Sequence, residues 1–237
     1  MVPGWRVNPV VRGMVMGSVA PAKTMQDEAG SPFRDREQRL EDRERKRETV
    51  LRAAVRMFNA RGFHAASLDE VAASIGVSKP TIYHYLGNKE QVLLECFTRG
   101  LDALDRAVEK ASAAPGTGLE RLSAFLVRYA ENNMSDFGRC VVRTGNDALS
   151  PEGAARFRAM KRKIDGHLRR LVAEAMADGS AAPADVKLTA FTLASAVNGS
   201  AFWFSADGAL PARAVAEAIV AILTAGLAPR AVPQPLG

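Results

Sequence analysis

The stretch Ser67-Leu-Asp-Glu-Val-Ala-Ala-Ser-Ile-Gly-Val-Ser-Lys-Pro-Thr-Ile-Tyr-His-Tyr85 leaves this chain little choice of local fold. Ser67 and Glu70 stand three apart, the spacing at which a hydroxyl and a carboxylate satisfy each other's orphan amides at a helix start. Val71, Ala72 and Ile75 then bury one side of a short helix predicted over Leu68 to Ile75. Gly76 permits a tight turn, and Val77 plugs the angle to the next helix. Ser78 caps that helix, predicted from Lys79 to about Tyr85, and Pro80 falls in its first turn, where a missing amide costs nothing. Two short helices so joined are a helix-turn-helix. The second of them presents Lys79, Thr81, Tyr83, His84 and Tyr85, a set that packing alone does not require. A helix that reads DNA places such residues at base edges and phosphates. Between Arg45 and Glu90 eight Lys/Arg oppose four acids, and that excess suits a phosphate backbone.

Helical periodicity surrounds the motif. Opposite charges four apart, Asp35 with Arg39 and Glu41 with Arg45, support a solvated helical lead-in. Leu51, Ala54, Val55 and Phe58 then trace one stripe of a helix that Gly62 ends. After Gly87-Asn88, a long helix carries Leu93, Phe97, Leu101, Leu104 and Val108 on one face. Ala113-Ala114-Pro115-Gly116 marks the domain boundary. Beyond it, Leu119, Leu122, Phe125, Leu126 and Tyr129 form one amphipathic stripe, and Phe157, Met160, Ile164, Leu168 and Leu171 another. Ala184 to Phe204 is apolar on most sides, and Pro211 opens a last helix with Val215, Ile219, Ile222 and Leu223. No run alternates at period two, so the fold class is all-α. The expected organisation is a disordered tail over 1–35, a helix-turn-helix domain with its connecting helix over 36–112, a helical ligand-binding and dimerisation domain over 117–229, and a disordered tail over 230–237.

Composition narrows the function by exclusion. With 47% apolar and 24% charged residues the chain is an ordinary soluble protein, and it lacks the ~18 consecutive apolar residues of a membrane span. The interrupted run Val10 to Ala20 is a poor signal peptide, so a cytoplasmic location is expected. Two cysteines, Cys96 and Cys140, make neither a disulfide framework nor a metal set. Cys140 reads as an inert buried thiol, and His167 has no partner at metal spacing. Neither a nucleophile elbow nor a phosphate loop is present, so no catalytic residue, metal or cofactor is expected and the chain is not read as an enzyme. The net charge of +6 leaves a sequence-neutral DNA-architectural protein as the rival reading, with a transcriptional activator as another.

From Thr49 to Phe97, and above all from Ser67 through Tyr83-His-Tyr-Leu-Gly-Asn-Lys89, the chain resembles the DNA-binding half of the TetR family of repressors. A bare helix-turn-helix is common; one continued by Tyr-x-Tyr-x-x-Asn-Lys-Glu is specific. The resemblance implies that Lys79, Pro80 and Thr81 face bases, while Ser67, Tyr83, Tyr85 and Lys89 hold phosphates. Ser78 and His84 complete the DNA-binding set expected of the motif. Leu86 stands where that family often has an aromatic. The resemblance also implies that the later helices enclose an effector cavity and that the last two pair with a second subunit, giving a homodimer on a palindromic operator. The small residues Ala190, Ala194, Ser195, Gly199 and Ser200 support such a pairing independently.

Asn198-Gly-Ser-Ala-Phe-Trp-Phe resembles, more weakly, a subgroup of these regulators that answers acyl-CoA or lipid-derived effectors. Residues 139–170 hold nine Lys/Arg against three acids, with Arg158, Lys161, Arg162 and Arg169 along one stripe. The expected ligand site is therefore apolar with a basic mouth: Phe125, Tyr129, Met160, Asn198 and Trp203 as walls, Arg139 and Arg143 as cations.

Overall fold

In the computed structural model, residues 32–144 and 148–229 are described, and among them the secondary structure is α-helical throughout. Nine helices follow one another there: α1 (Pro32–Arg61), α2 (Leu68–Ser74), α3 (Lys79–Leu86), α4 (Lys89–Ser112), α5 (Gly118–Met134), α6 (Asp136–Arg143), α7 (Pro151–Ala177), α8 (Val186–Trp203) and α9 (Ala212–Ala225). The chain divides into two units after Leu40, within α1; everything below concerns the second. The expected tails lie outside the described residues except for 32–35, which open α1. No described helix is long and apolar enough to cross a membrane.

The starts of these helices follow from their caps. Asn88 and Gln91 form a capping box at α4, and Thr117 and Glu120 form another at α5. Ser135 caps α6, Ser150 caps α7 and Asp185 caps α8. Each cap supplies an acceptor to an amide that the helix itself leaves unpaired.

Two cores result. Leu51, Val55 and Phe58 of α1, Val71 of α2, Ile82 and Leu86 of α3, and Leu93 and Phe97 of α4 make the first. Leu122, Phe125 and Leu126 of α5 pack with Leu168 and Leu171 of α7, Val197 of α8 and Val220 of α9 in the second. Burying each such side chain contributes about 1.5–3 kcal/mol. Two helices belong to both cores: α4 through Phe97 and then Leu104, α7 through Phe157 and then Leu168. Where α5 turns into α6 the backbones nearly touch, and a Cβ on Gly138 would stand 1.9 Å from the Asn132 carbonyl oxygen. Glycine alone fits there.

Candidate nucleic-acid interface and ligand cavity

The turn between α2 and α3 forms as its residue types dictate. Ser67 Oγ accepts from the Glu70 amide (3.1 Å) and the Glu70 carboxylate accepts from the Ser67 amide (2.9 Å). Arg61 donates to the other Glu70 oxygen at 2.7 Å. The Ser67 hydrogen bonds, with Arg61 behind them, hold the Glu70 carboxyl below the usual range. Gly76 takes φ 67°, in the left-handed region, and the Val77 amide returns to the Ala72 carbonyl at 3.0 Å.

On α3, Ile82 and Leu86 are buried one turn apart. Leucine at 86 fills the core, so the position that often carries an aromatic is a packing position here. That register leaves Pro80 and His84 on the outward face, with Lys79 exposed and Tyr83 49% exposed beside them. Thr81 is half-buried, and its amide and hydroxyl both bond the Ser78 hydroxyl. Lys79 Nζ lies 2.7 Å from Asp69 of α2, whose hydrogen bond and charge raise the lysine pKa. Tyr85 differs from Tyr83: it is half-buried and packs against the first core. Lys89, for which a phosphate contact is expected, is half-buried. Its amine donates to the His64 carbonyl (3.3 Å) and stands 4.6 Å from the Phe63 ring centroid. Burial there pushes the Lys89 amine below the ordinary lysine range.

A cavity of about 330 Å³ opens between α4, α5, α6, α7 and α8. Tyr129, Met160 and Asn198 line it, as expected from the sequence. Burial pushes the Tyr129 hydroxyl pKa up to about 12, against the opposing influence of the neighbouring Asn198 side chain. Asn198 Oδ1 in turn accepts from Asn133 at 2.9 Å. These three, with Asn132, Thr144 and Lys161, supply the polar part of walls whose apolar part includes Phe97, Leu101, Leu104, Phe157 and Ile164. Phe97 and Phe157 stack at 4.0 Å and belong to the first core; Leu104 and Tyr129 belong to the second. The cavity thus occupies the seam of the two cores.

Four expected wall or mouth residues lie elsewhere. Phe125 is fully enclosed within the second core and meets Tyr129 only through a tilted ring contact at 5.9 Å. Trp203, at the end of α8, is 60% exposed on the outer surface. Arg139 donates to the Phe204 carbonyl at 2.8 Å and Arg143 to the Asn59 carbonyl at 3.2 Å. Both arginines therefore fasten α6 to its neighbours, because they project from sides of α6 other than the one carrying Gly138, Val141 and Val142 into the cavity. Of the basic stripe on α7, Lys161 lines the cavity, while Arg169 pairs with Asp165. His167 does have an acidic partner, Asp105 of α4 at 3.1 Å, which also takes Lys163. No three metal-ligating side chains cluster among the described residues. Cys96 and Cys140 are both buried, and the neighbouring Cys140 together with burial pushes the Cys96 thiol up.

The sequence reading missed α6 altogether and, with it, a junction between helices. Arg56 of α1 pairs with Asp136 at 3.3 Å, and Asn59 donates to the Asp136 carbonyl at 2.8 Å. Phe137 is held between the guanidinium groups of Arg52 (5.3 Å) and Arg99 (4.8 Å). Glu48 bonds both arginines at 2.7 Å. The only local signal for α6 was Ser135-Asp136, a capping serine followed by a first-turn acid.

A family model described as bacterial regulatory proteins, tetR family, matches residues 50–96; another, tetracyclin repressor-like C-terminal domain, matches residues 115–227. A TetR/AcrR-family regulator from Thermobifida fusca is 31% identical with a TM-score of 0.53, over 76% of this chain and 97% of that one. AibR, solved in complex with isovaleryl coenzyme A and operator DNA, is 25% identical with a TM-score of 0.65, over 75% of this chain and 97% of its own. The transcriptional activator FasR of Mycolicibacterium smegmatis is 37% identical over 82 residues, 35% of this chain; the matched stretch spans 37% of FasR's own length.

Proposed function

Since the chain belongs to the tetR family of bacterial regulatory proteins, we propose that it is a cytoplasmic homodimeric repressor whose α3 reads a palindromic operator and whose cavity takes the releasing effector. Lys79, Pro80 and Thr81 address base edges, with His84 beside them on the outward face. Tyr83, Ser67 and Ser78 face the flanking phosphates. Tyr85 contributes mainly by packing. Subunits pair through α8 and α9, which leave Leu188, Phe202, Trp203 and Ile222 between 60% and 76% exposed. Apolar side chains so exposed on neighbouring helices mark an interface.

One observation carries the regulatory reading: the cavity walls are drawn from both cores. A bound molecule therefore touches the helix-turn-helix core through Phe97 and Phe157 and the α5–α9 core through Tyr129 and Leu104. It also touches α6, which holds α1 through Asp136 and α4 through Phe137. An effector that fits one arrangement of these helices better than the other shifts the population toward it. The two α3 helices then no longer match major grooves about 34 Å apart. The effector is a small hydrophobic or acyl-CoA-type molecule. The lining of the cavity favours this, and AibR with its isovaleryl coenzyme A is a precedent.

The test is operator binding by the full chain. Its own promoter DNA should bind at least ~10³-fold more tightly than a scrambled duplex at physiological salt, and micromolar acyl-CoA should release it. Equal binding to both duplexes would favour an architectural protein. Specific binding that no acyl-CoA of any chain length relieves would remove the effector assignment.

A further inference from the structure

A second depression, of about 680 Å³, runs along α4 and α5 to Arg213 at the start of α9. Its floor is made of alanines on α4 and α5, such as Ala103, Ala107 and Ala124. Four cations line it: Arg106, Lys110, Arg128 and Arg213, against the single carboxylate of Glu131. Glu131 is already shared between Arg128 (2.9 Å) and Arg213 (3.4 Å). Among the described residues, Arg106 and Lys110 have no ion-pair partner. From Ala103 to Ala111 this groove follows α4 for about 12 Å, at 1.5 Å per residue.

Asn132 of α5 lines both this groove and the cavity. Opposite it, α4 carries Gly100, whose Cβ position would lie 3.7 Å from Asn132 Nδ2. At this place α4 contributes no side chain, so the Asn132 amide stands between the two spaces. An amide turns about two single bonds, whereas a leucine or phenylalanine on α4 here would close the passage permanently.

We propose that the groove binds the phosphorylated head of the effector while its apolar part fills the cavity, the chain passing Asn132 and Gly100. The ligand class is an acyl thioester of a long, polyanionic carrier. This rests on the cavity being the effector site. A flexible linker would pass at Gly100, where α4 carries no side chain, and cations without ion-pair partners over an apolar floor accept phosphate oxygens. The α7 side is less suited. Lys163 and Arg170 are committed to Asp105 and Glu174, leaving Lys161 as the α7 cation at the cavity.

Calorimetry on the full chain with octanoyl-CoA and with methyl octanoate tests this. The Arg106→Gln/Lys110→Gln variant should bind octanoyl-CoA about tenfold more weakly, with a shallower salt dependence, and bind the neutral ester as the parent does. Arg162→Gln, an exposed α7 cation outside both spaces, should leave both unchanged. Undiminished octanoyl-CoA binding by the groove variant would overturn the proposal while leaving the cavity reading intact. So would equal weakening of both ligands, or a loss confined to Arg162→Gln. Failure of the parent protein to bind either ligand would remove the cavity reading and the proposal with it.

Discussion

Replacing Lys89 by methionine separates two roles for one side chain. Methionine keeps an unbranched apolar stem but removes the charge. The parent amine sits 4.6 Å from the Phe63 centroid and 5.9 Å from that of Phe58, and it donates to the His64 carbonyl at 3.3 Å. A cation over an aromatic ring at a partly exposed site contributes about 0.5–1 kcal/mol. A hydrogen bond from a charged donor adds about 1.5 kcal/mol at best, and less at this length. Against these, removing a cation from the positive end of α4 returns a few tenths of a kcal/mol. Burial, which holds the amine below the ordinary lysine range, offsets part of this, so the net loss is below about 1 kcal/mol, or a melting temperature lower by at most about 2–4 °C for a chain of this size. Thermal melts at one fixed protein concentration measure it, because a dimer's midpoint depends on concentration. The same variant should keep the slope of log K against log salt for operator binding. A phosphate contact at Lys89 would instead reduce that slope by about 0.9. Unchanged stability together with the shallower slope would refute the internal anchoring.

Tyr83→Phe, on the exposed face of α3, should weaken operator binding about fivefold, the value of one hydrogen bond, without moving the melting temperature or the effector response; fluorescence anisotropy and a melt check both. Gly138→Ala forces a methyl group against the Asn132 carbonyl, 1.9 Å away, and should lower stability by at least ~2 kcal/mol, read as a lower denaturant midpoint at an unchanged m-value. Burial opposes ionisation of Glu48, but Arg99 and then Arg52 outweigh it and hold its carboxyl below its ordinary value of 4.5. Because the folded pKa is the depressed one, this stabilisation is complete above about pH 4.5 and is lost as pH falls through the folded value. Glu48→Gln should therefore flatten the acid limb of a stability–pH profile below pH 4.5, and an unaltered limb would assign it to other carboxylates.

The recognition motif was legible because each of its devices is local. A capping box, a left-handed glycine and a capped helix with proline in its first turn act within four residues of one another, so Ser67 to Leu86 folds as its residue types dictate. The apolar stripes of α4, α5, α7 and α9 were legible for the same reason, since period 3.6 is written into the chain. Thr117-Gly-Leu-Glu120 carries an equally plain capping signal at α5.

Side-chain destinations were not legible. The same lysine at the head of α4 suits a phosphate or a neighbouring ring, and periodicity does not show that Phe63 and the His64 carbonyl lie within its reach. Arg139 and Arg143 looked like the mouth of a cavity because they are basic and near it in sequence. The rotation of the eight-residue α6 aims them at Phe204 and Asn59 instead. Trp203 belongs to an apolar segment, but periodicity cannot say which side of an all-round apolar helix meets its own chain and which faces outward. By itself, then, the sequence determined an all-helical chain with a DNA-reading turn, since those rest on contacts between near neighbours. Where the cavity lies, which cations remain unpaired beside it, and how α6 joins α1 to α4 were decided by the tertiary structure, because each depends on residues dozens of positions apart arriving at one place.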